Sequence, residues 1–365
     1  MKRTMRSVQV HRYGPAEDVL TLVEDTPVPE PAPDEILVEA HATSVNPVDC
    51  SARAGYGRNI FSTLWGGLPL ILGRDVSGVV VAVGRDVEAF APGDEVYAAP
   101  HIGCYAEYVT VKAAHAARKP GNLSHLEAAS LPFVALTAIT ALRDHVGLGP
   151  HDCAGRRVVV PRAAGGVGSF AIQLLKAWGA SVTAICSTRN VELVTRLGAD
   201  IVVDYRRQDF SRALSDYDVA LDTIGKPSDF EAMDGKRYNE GSPDDFDEQL
   251  LSVLKTHADA AYVTICSPKM VLTDRYGLEE GLRRAEEIYA RRREAQRALG
   301  RRYYWSFFNP DGGALAEVAA LVEAGRVQPV IDRVFPLEEM AAAHLYCESG
   351  RAQGKIVIDI AASRA

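Results

Sequence analysis

The sequence predicts an α/β protein in which a β-rich domain is interrupted by a doubly wound parallel sheet. Three observations predict it. Short β-branched runs fill the first third, with no helix–strand alternation before about position 125. Strands and helices then alternate through the middle of the chain. The C-terminal part returns to the first style, so the chain's end is expected to complete the first domain. A length of 365 residues has room for two such domains. The expected boundaries are 1–133 with 312–365 for the β-rich domain and 134–311 for the inserted one.

In order along the chain, "SVQVHRYG", "EILVEAHATSV", "SGVVVAVG" and "AEYVTVK" read as strands separated by Pro, Gly and Asp. "APGDEVYAA" carries the turn Pro92-Gly93-Asp94 before another strand. "LSHLEAASLPFVALTAITALRDHVGLGP" reads as two helices with Pro132 between them. Ser124 is the N-cap of the first, with Glu127 at the capping-box spacing. Then come strand "RRVVV", helix "GSFAIQLLKAWG", strand "SVTAICS", helix "NVELVTRLG", strand "DIVVDY", helix "DFSRALS" and strand "DVALDTIG". "AAYVTICSP" and "RYYWSFFNP" are expected as the last strands of this sheet. The polar, acidic segment 226–248 reads as a surface insertion. Segment 279–302 reads as a charged, solvated helix, with a partner or phosphate contact as the alternative. "ALAEVAALVEAG" is an amphipathic helix ended by Gly325, followed by "VQPVIDRVFP", a helix through "LEEMAAAHLYCESG" and a final strand "GKIVIDI".

Composition excludes several classes. A net charge of −8 argues against a general nucleic-acid binder. No apolar run approaches the length of a membrane span, and "MKRTMRSVQVHRYG" lacks an apolar signal segment, so a cytoplasmic protein is expected. Cys50, Cys104, Cys153, Cys186, Cys266 and Cys347 form no C-x-x-C pair and read as free thiols.

The segment "VVVPRAAGGVG" carries the chemistry. Gly165 and Gly166 let the backbone approach a pyrophosphate, and Gly168 lets the following helix pack on the strand. Between an apolar strand and an amphipathic helix, inside repeated βαβ units, the turn marks a Rossmann dinucleotide site. Arg162 stands where a small residue is usual. Its side chain has two destinations: an acid such as Asp222, or the phosphates themselves. At the end of the second strand, "CSTRN" has no carboxylate before Glu192. Ser187, Thr188 and Arg189 suit a 2′-phosphate, which indicates NADPH, although both hydroxyls also suit helix capping.

In the β-rich part, "TSVNPVDCSARAGYG", "LGRDVSGVV" and "GCYAEYVTV", with "LPFVALTAITAL" and "AAGGVG", resemble the medium-chain dehydrogenase/reductase superfamily over essentially the whole chain. The resemblance implies a GroES-like catalytic domain beside the Rossmann domain. Zinc-dependent members carry a cysteine where this chain has Asn46, and a histidine where it has Arg74. Arginine does not ligate zinc and asparagine is a poor ligand, and the four-cysteine zinc loop is missing. The chain thus resembles the zinc-free, quinone-oxidoreductase-like branch. Within it, "SVNPVD", "LGRDVSGVV", "GGVGSFAIQ", "YVTICSP", "YYWSFF" and "PVIDRVFP" are most similar to the mitochondrial reticulon-interacting oxidoreductases.

That resemblance implies NADPH-dependent reduction of a quinone or an α,β-unsaturated carbonyl as small-molecule substrate. It implies cofactor contacts at Gly165, Gly166, Val167, Ser187, Tyr205, Phe307 and Lys355. Dimers are common in the superfamily, which makes a homodimer the candidate assembly. Without a metal, the oxyanion formed by hydride attack needs hydrogen-bond donors. Asn46 and Tyr56 are the leading catalytic candidates, ahead of Arg74 and Tyr105. Arg74 and Asp75 are expected to pair with each other and fill the former metal position. Two rivals remain: a non-redox enzyme with an impaired cofactor turn, for which Arg162 is the motive, and a nucleotide-sensing protein that binds a partner through its basic helix.

Overall fold

A computed structural model describes residues 4–225, 246–256 and 259–362. The chain divides into two compact units. One comprises Met1–Gly55, Ser62–Leu136 and Asn309–Ala365; the other comprises Tyr56–Phe61 and Thr137–Phe308.

The first unit is β-rich. It carries β1 (Thr4–Val10), β2 (Leu20–Pro27), β3 (Glu35–Val45), β4 (Leu70–Ile71), β5 (Val76–Val83), β6 (Glu95–Ala98), β7 (Tyr108–Lys112) and β8 (Ala116–Arg118). The second carries β9 (Arg157–Pro161), β10 (Ser181–Cys186), β11 (Ile201–Asp204), β12 (Val219–Asp222), β13 (Ala260–Thr264) and β14 (Arg301–Trp305). The chain then returns to the first unit with β15 (Ile331–Pro336) and β16 (Lys355–Asp359).

β3 organises the first unit. Its burial is nearly continuous: Ile36, Leu37, Val38, Ala40 and Ala42 are all buried, and so are Thr43, Ser44 and Val45. Such a strand needs neighbours over most of its length. It pairs antiparallel with β5, β7 and β16, in a sheet ordered β15-β16-β3-β5-β6-β8. The register Ile356↔Val45 to Asp359↔Ala42 seats the last strand of the chain beside the first unit's longest one.

The second unit is a parallel sheet ordered β11-β10-β9-β12-β13-β14. Its order reverses at β9, whose Val158, Val159 and Val160 are fully buried. In open α/β sheets the carboxyl edge at such a reversal is where ligands bind. Tyr262 of β13 and Tyr303 of β14 stack with ring centroids 5.1 Å apart and fill the far side of this core.

Two expectations are corrected. The stretch His125–His145 is long and apolar enough, by length and composition, to cross a membrane, and 78% of its most apolar window is buried inside the protein. The two helices expected about Pro132 are His125–Ala128 and Pro132–Ile139, and Pro132 opens the second, where a missing N–H costs nothing. The expected surface insertion lies mostly outside the described residues. Its end does not lie on the surface: Phe246 and Asp247 begin the helix Phe246–Ser252 and are both buried.

The step from β9 to the helix Gly166–Ala177 demands a glycine at 168. A Cβ there would stand 2.6 Å from the Arg162 carbonyl oxygen and 2.7 Å from Ala163 Cα, both backbone atoms. Gly168→Ala is expected to cost about 1–3 kcal/mol in urea unfolding, the usual penalty of overpacking. Unchanged stability would show that the turn yields.

Candidate functional site

The glycine-rich turn begins where β9 ends. Pro161 is the last residue of β9 and has no N–H to extend the ladder beyond it. Arg162 then takes φ +48°, the left-handed region, at a cost of about 1 kcal/mol for a non-glycine residue. Its carbonyl accepts the Gly165 N–H at 2.9 Å, closing the turn. The exposed side chain lies along the turn, with Cγ and Nε 3.7 and 3.9 Å from where a Gly165 Cβ would stand. Gly165 is the N-cap of the helix Gly166–Ala177 and has no side chain to cover that helix's first N–H groups. The Gly165 N–H and carbonyl are both engaged within the turn, and Gly166 and Val167 follow as the first residues at the positive end of a twelve-residue helix.

The Arg162–Asp222 pairing offered by the sequence is corrected. Asp222 is fully buried, and its carboxylate accepts from the Tyr262 hydroxyl at 2.5 Å, the Ile224 N–H at 2.9 Å and the Gly225 N–H at 3.0 Å. It braces the loop after β12, and burial raises its pKa against these bonds.

The ends of β10 and β11 lie side by side, with Cys186 opposite Asp204. Ser187 is buried, and its hydroxyl accepts from Asn190 Nδ2 at 3.2 Å. Arg189 is exposed on the short 3-10 turn Thr188–Asn190. Tyr205 is 52% exposed, and its N–H binds the Cys186 carbonyl at 3.1 Å. Ser187, Arg189 and Tyr205 therefore gather at one edge of the sheet. Asp204 joins them, and the sequence reading missed it by looking for an acid only on β10. Phe307, further along the same unit, is 43% exposed under the Lys269 ammonium, 5.1 Å from the ring.

A second cluster lies in the first unit, around the fully buried Asp75. Its carboxylate accepts from Ser44 Oγ at 2.5 Å, Asn46 Nδ2 at 2.9 Å and the Phe133 N–H at 2.7 Å, with Lys355 Nζ at 3.4 Å. Lys355 Nζ also donates to Asn46 Oδ1. Both ends of the Asn46 carboxamide are thereby engaged, and Asn46 is 1% exposed. Lys355, expected at the cofactor, is 5% exposed and held in this cluster.

The expected Arg74–Asp75 pair is also corrected. Arg74 Nε faces Asp49 Oδ1 at 3.6 Å, and its guanidinium lies 5.0 Å from the Trp65 ring and 5.7 Å from that of Phe133. Burial raises the Asp49 pKa, while Arg74 opposes it. Asp49 also accepts the Asn46 N–H at 2.9 Å. Sequence reasoning missed Asp49, although its position three residues after Asn46, the first residue of the Asn-Pro pair, is a capping signal. Tyr105 is buried, its hydroxyl 3.1 Å from His344 Nε2.

Tyr56 is half-buried between Gly55 at φ +101° and Gly57 at φ +74°. The loop is pinned by Asp274, which accepts the N–H groups of Gly57 and Asn59 at 2.5 and 3.2 Å. The basic segment is partly internal. Arg292 binds Asp247 at 2.6 Å, and Arg301 donates to the carbonyls of Lys255 and Leu254 at 2.8 and 2.7 Å.

Residues 32–121 match the family described as alcohol dehydrogenase GroES-like domain, and residues 197–358 the family described as zinc-binding dehydrogenase. A protein of Homo sapiens named NAD(P)H oxidoreductase RTN4IP1, mitochondrial, is 38% identical over 367 residues, covering 96% of this chain and 88% of its own. The chain belongs to the medium-chain dehydrogenase/reductase superfamily. The solved quinone oxidoreductase from Coxiella burnetii superposes with a TM-score of 0.77 at 30% identity, covering 98% of this chain and 99% of its own. The 2-methylene-furan-3-one reductase of Solanum lycopersicum is 32% identical over 363 residues, covering 95% of this chain and 76% of its own. Within the superfamily the chain is an NAD(P)H oxidoreductase of the quinone-oxidoreductase-like kind. The cytoplasmic expectation is corrected by these relatives: those from cattle, mouse, human and zebrafish are named mitochondrial. Composition and the want of a secretory-type segment do not read an organelle address.

The Asp75 cluster carries a stability test. Lys355→Met leaves a buried carboxylate without its cation and is expected to cost about 3–5 kcal/mol in chemical unfolding. Adding Asp75→Asn should recover part of that loss. A single variant as stable as the parent would show that Lys355 does not neutralise Asp75.

Proposed function

We propose that the chain transfers hydride from NADPH to a quinone or an α,β-unsaturated carbonyl, without a metal. The observation that carries this reading is the gathering of Ser187, Arg189 and Tyr205 at the edge of the same sheet whose β9 turn leads through Gly165 to Gly166 and Val167 at a helix start. These groups fit a dinucleotide. The uncovered helix start suits a pyrophosphate, and a guanidinium with hydroxyls suits a 2′-phosphate. The quinone and furanone names of two relatives support the acceptor class.

When bound, NADPH supplies hydride from its nicotinamide ring. The residues of this chain then have separate tasks. Arg162, lying along Gly165, is proposed to meet the pyrophosphate. Tyr56, a half-buried phenol on a pinned loop, is the proposed donor to the substrate oxygen, with water as the source of the final proton. Asn46, held at both ends by Lys355 and Asp75, is proposed as a positioning residue. Phe307 is proposed to flank the nicotinamide end. A metal-free site is supported by the donor set: Arg74 holds its charge against Asp49 and cannot serve as a ligand, and Asn46 is a poor one.

Two substitutions separate the phosphate assignments. Arg189→Ala is expected to weaken NADPH at least tenfold and NADH little, in fluorescence titrations. Arg162→Gly is expected to weaken both about tenfold, a loss of about 1.4 kcal/mol. Equal affinity of the unmodified protein for the two cofactors would sink the NADPH assignment.

Turnover gives the remaining test. NADPH oxidation with a panel of quinones and enones should proceed, survive dialysis against a chelator, and fall at least tenfold in Tyr56→Phe. Activity abolished by the chelator and restored by zinc would overturn the metal-free reading. No turnover with either acceptor class would overturn the substrate assignment.

A further inference from the structure

Asp204 is an acid one strand away from the position whose acid favours NADH, and it lies next to that position. It ends β11, level with Cys186 at the end of β10, beside Ser187 and Arg189. A free carboxylate at this distance from the β10 end would be able to accept from a ribose 2′-hydroxyl and would repel a 2′-phosphate. Here its oxygens are engaged within the chain. Oδ2 accepts from Thr188 Oγ1 at 2.6 Å and faces Arg207 Nε at 3.4 Å, and Oδ1 accepts the Arg206 N–H at 3.0 Å. The Asp204 side chain is 13% exposed, whereas that of Arg207 is 76% exposed. The arrangement covers the acid and turns cations outward. The Arg206 guanidinium lies 5.8 Å from the Tyr205 ring, on the exposed face.

We propose that Asp204 is a masked acid that sets the choice between the two nicotinamide dinucleotides. Held by Thr188, the Arg206 N–H and Arg207, it is withheld from the ribose hydroxyl, and the edge is left to a 2′-phosphate. Thr188 and Arg207 act through Asp204 and are positioning residues. Thr188 is the principal latch, because its bond is short and charge-assisted while an exposed ion pair contributes little. The Thr188 hydrogen bond also holds the Asp204 carboxyl below its ordinary range, with the Arg206 N–H and Arg207 adding to the effect against burial. The group is therefore ionised at neutral pH, and an uncovered charge here would act against a phosphate.

This inference rests on the dinucleotide reading above, and a binding cycle distinguishes the two. The measurement is the dissociation constant of NADPH and of NADH, by fluorescence titration of the full-length protein. The variants are Thr188→Val, Arg207→Ala and the two together, each with Asp204 and with Asp204→Asn. Melting temperatures check that each variant folds. With Asp204 present, the pair Thr188→Val and Arg207→Ala should move the NADPH-to-NADH preference at least tenfold toward NADH. With Asp204→Asn, the same pair should change it less than twofold. An equal loss of NADPH in both backgrounds would show Thr188 and Arg207 to be direct phosphate ligands and would overturn the masking. An unchanged preference in all variants would overturn it as well. Failure of the unmodified protein to bind either nucleotide would instead remove the dinucleotide reading, and the masking with it.

Discussion

The buried carboxylate of Asp75 holds the first unit together. A charge without solvent is tolerated only where its lone pairs are filled and a cation stands near. Asp75 draws its partners from four separate places: Ser44 on β3, Asn46 after it, the first turn of the helix at Phe133, and Lys355 at the start of β16. The last of these is distant in sequence. The C-terminal strand thus delivers more than sheet pairing: it brings the ammonium that makes the carboxylate tolerable. Removal of either charge exposes the other to the full desolvation penalty, so the register of β16 against β3 and the chemistry of the cluster are set together.

Backbone geometry has the corresponding role in the second unit. Gly168 is fixed by the approach of its helix to the Arg162 carbonyl, and Arg162 accepts a left-handed conformation to make that approach. A glycine at 162 would relieve the strain. The arginine keeps this conformation at a local cost of about 1 kcal/mol, with its side chain exposed along the turn.

Much of this was legible in the sequence. β3 and β16 were visible because each holds an apolar run rich in β-branched residues, Ile36–Val38 and Ile356–Ile358, and the helix after Ser124 because its capping box is a local code. β4 and β8 were not, since strands of two and three residues carry no period, and the exposed Glu and Asp in β2 break its pattern. The Arg74–Asp75 pair was misjudged because chain adjacency does not fix where two side chains go: these lie in the irregular step before β5. They reach Asp49 and Lys355 instead. Asp204 was overlooked because it lies on a different strand from the one searched. Only the strand order β11-β10-β9 places it beside Ser187.

The two clusters share one device under different physics. In each, a carboxylate is taken up by donors of the same unit. Asp75 is fully buried, so its pairing with Lys355 bears on whether the unit folds. Asp204 sits at a wetter edge with a largely exposed partner, so its pairing has little weight in stability. What it governs is which charge the edge presents. The same interaction therefore falls to folding in one unit and to recognition in the other, and burial decides between them.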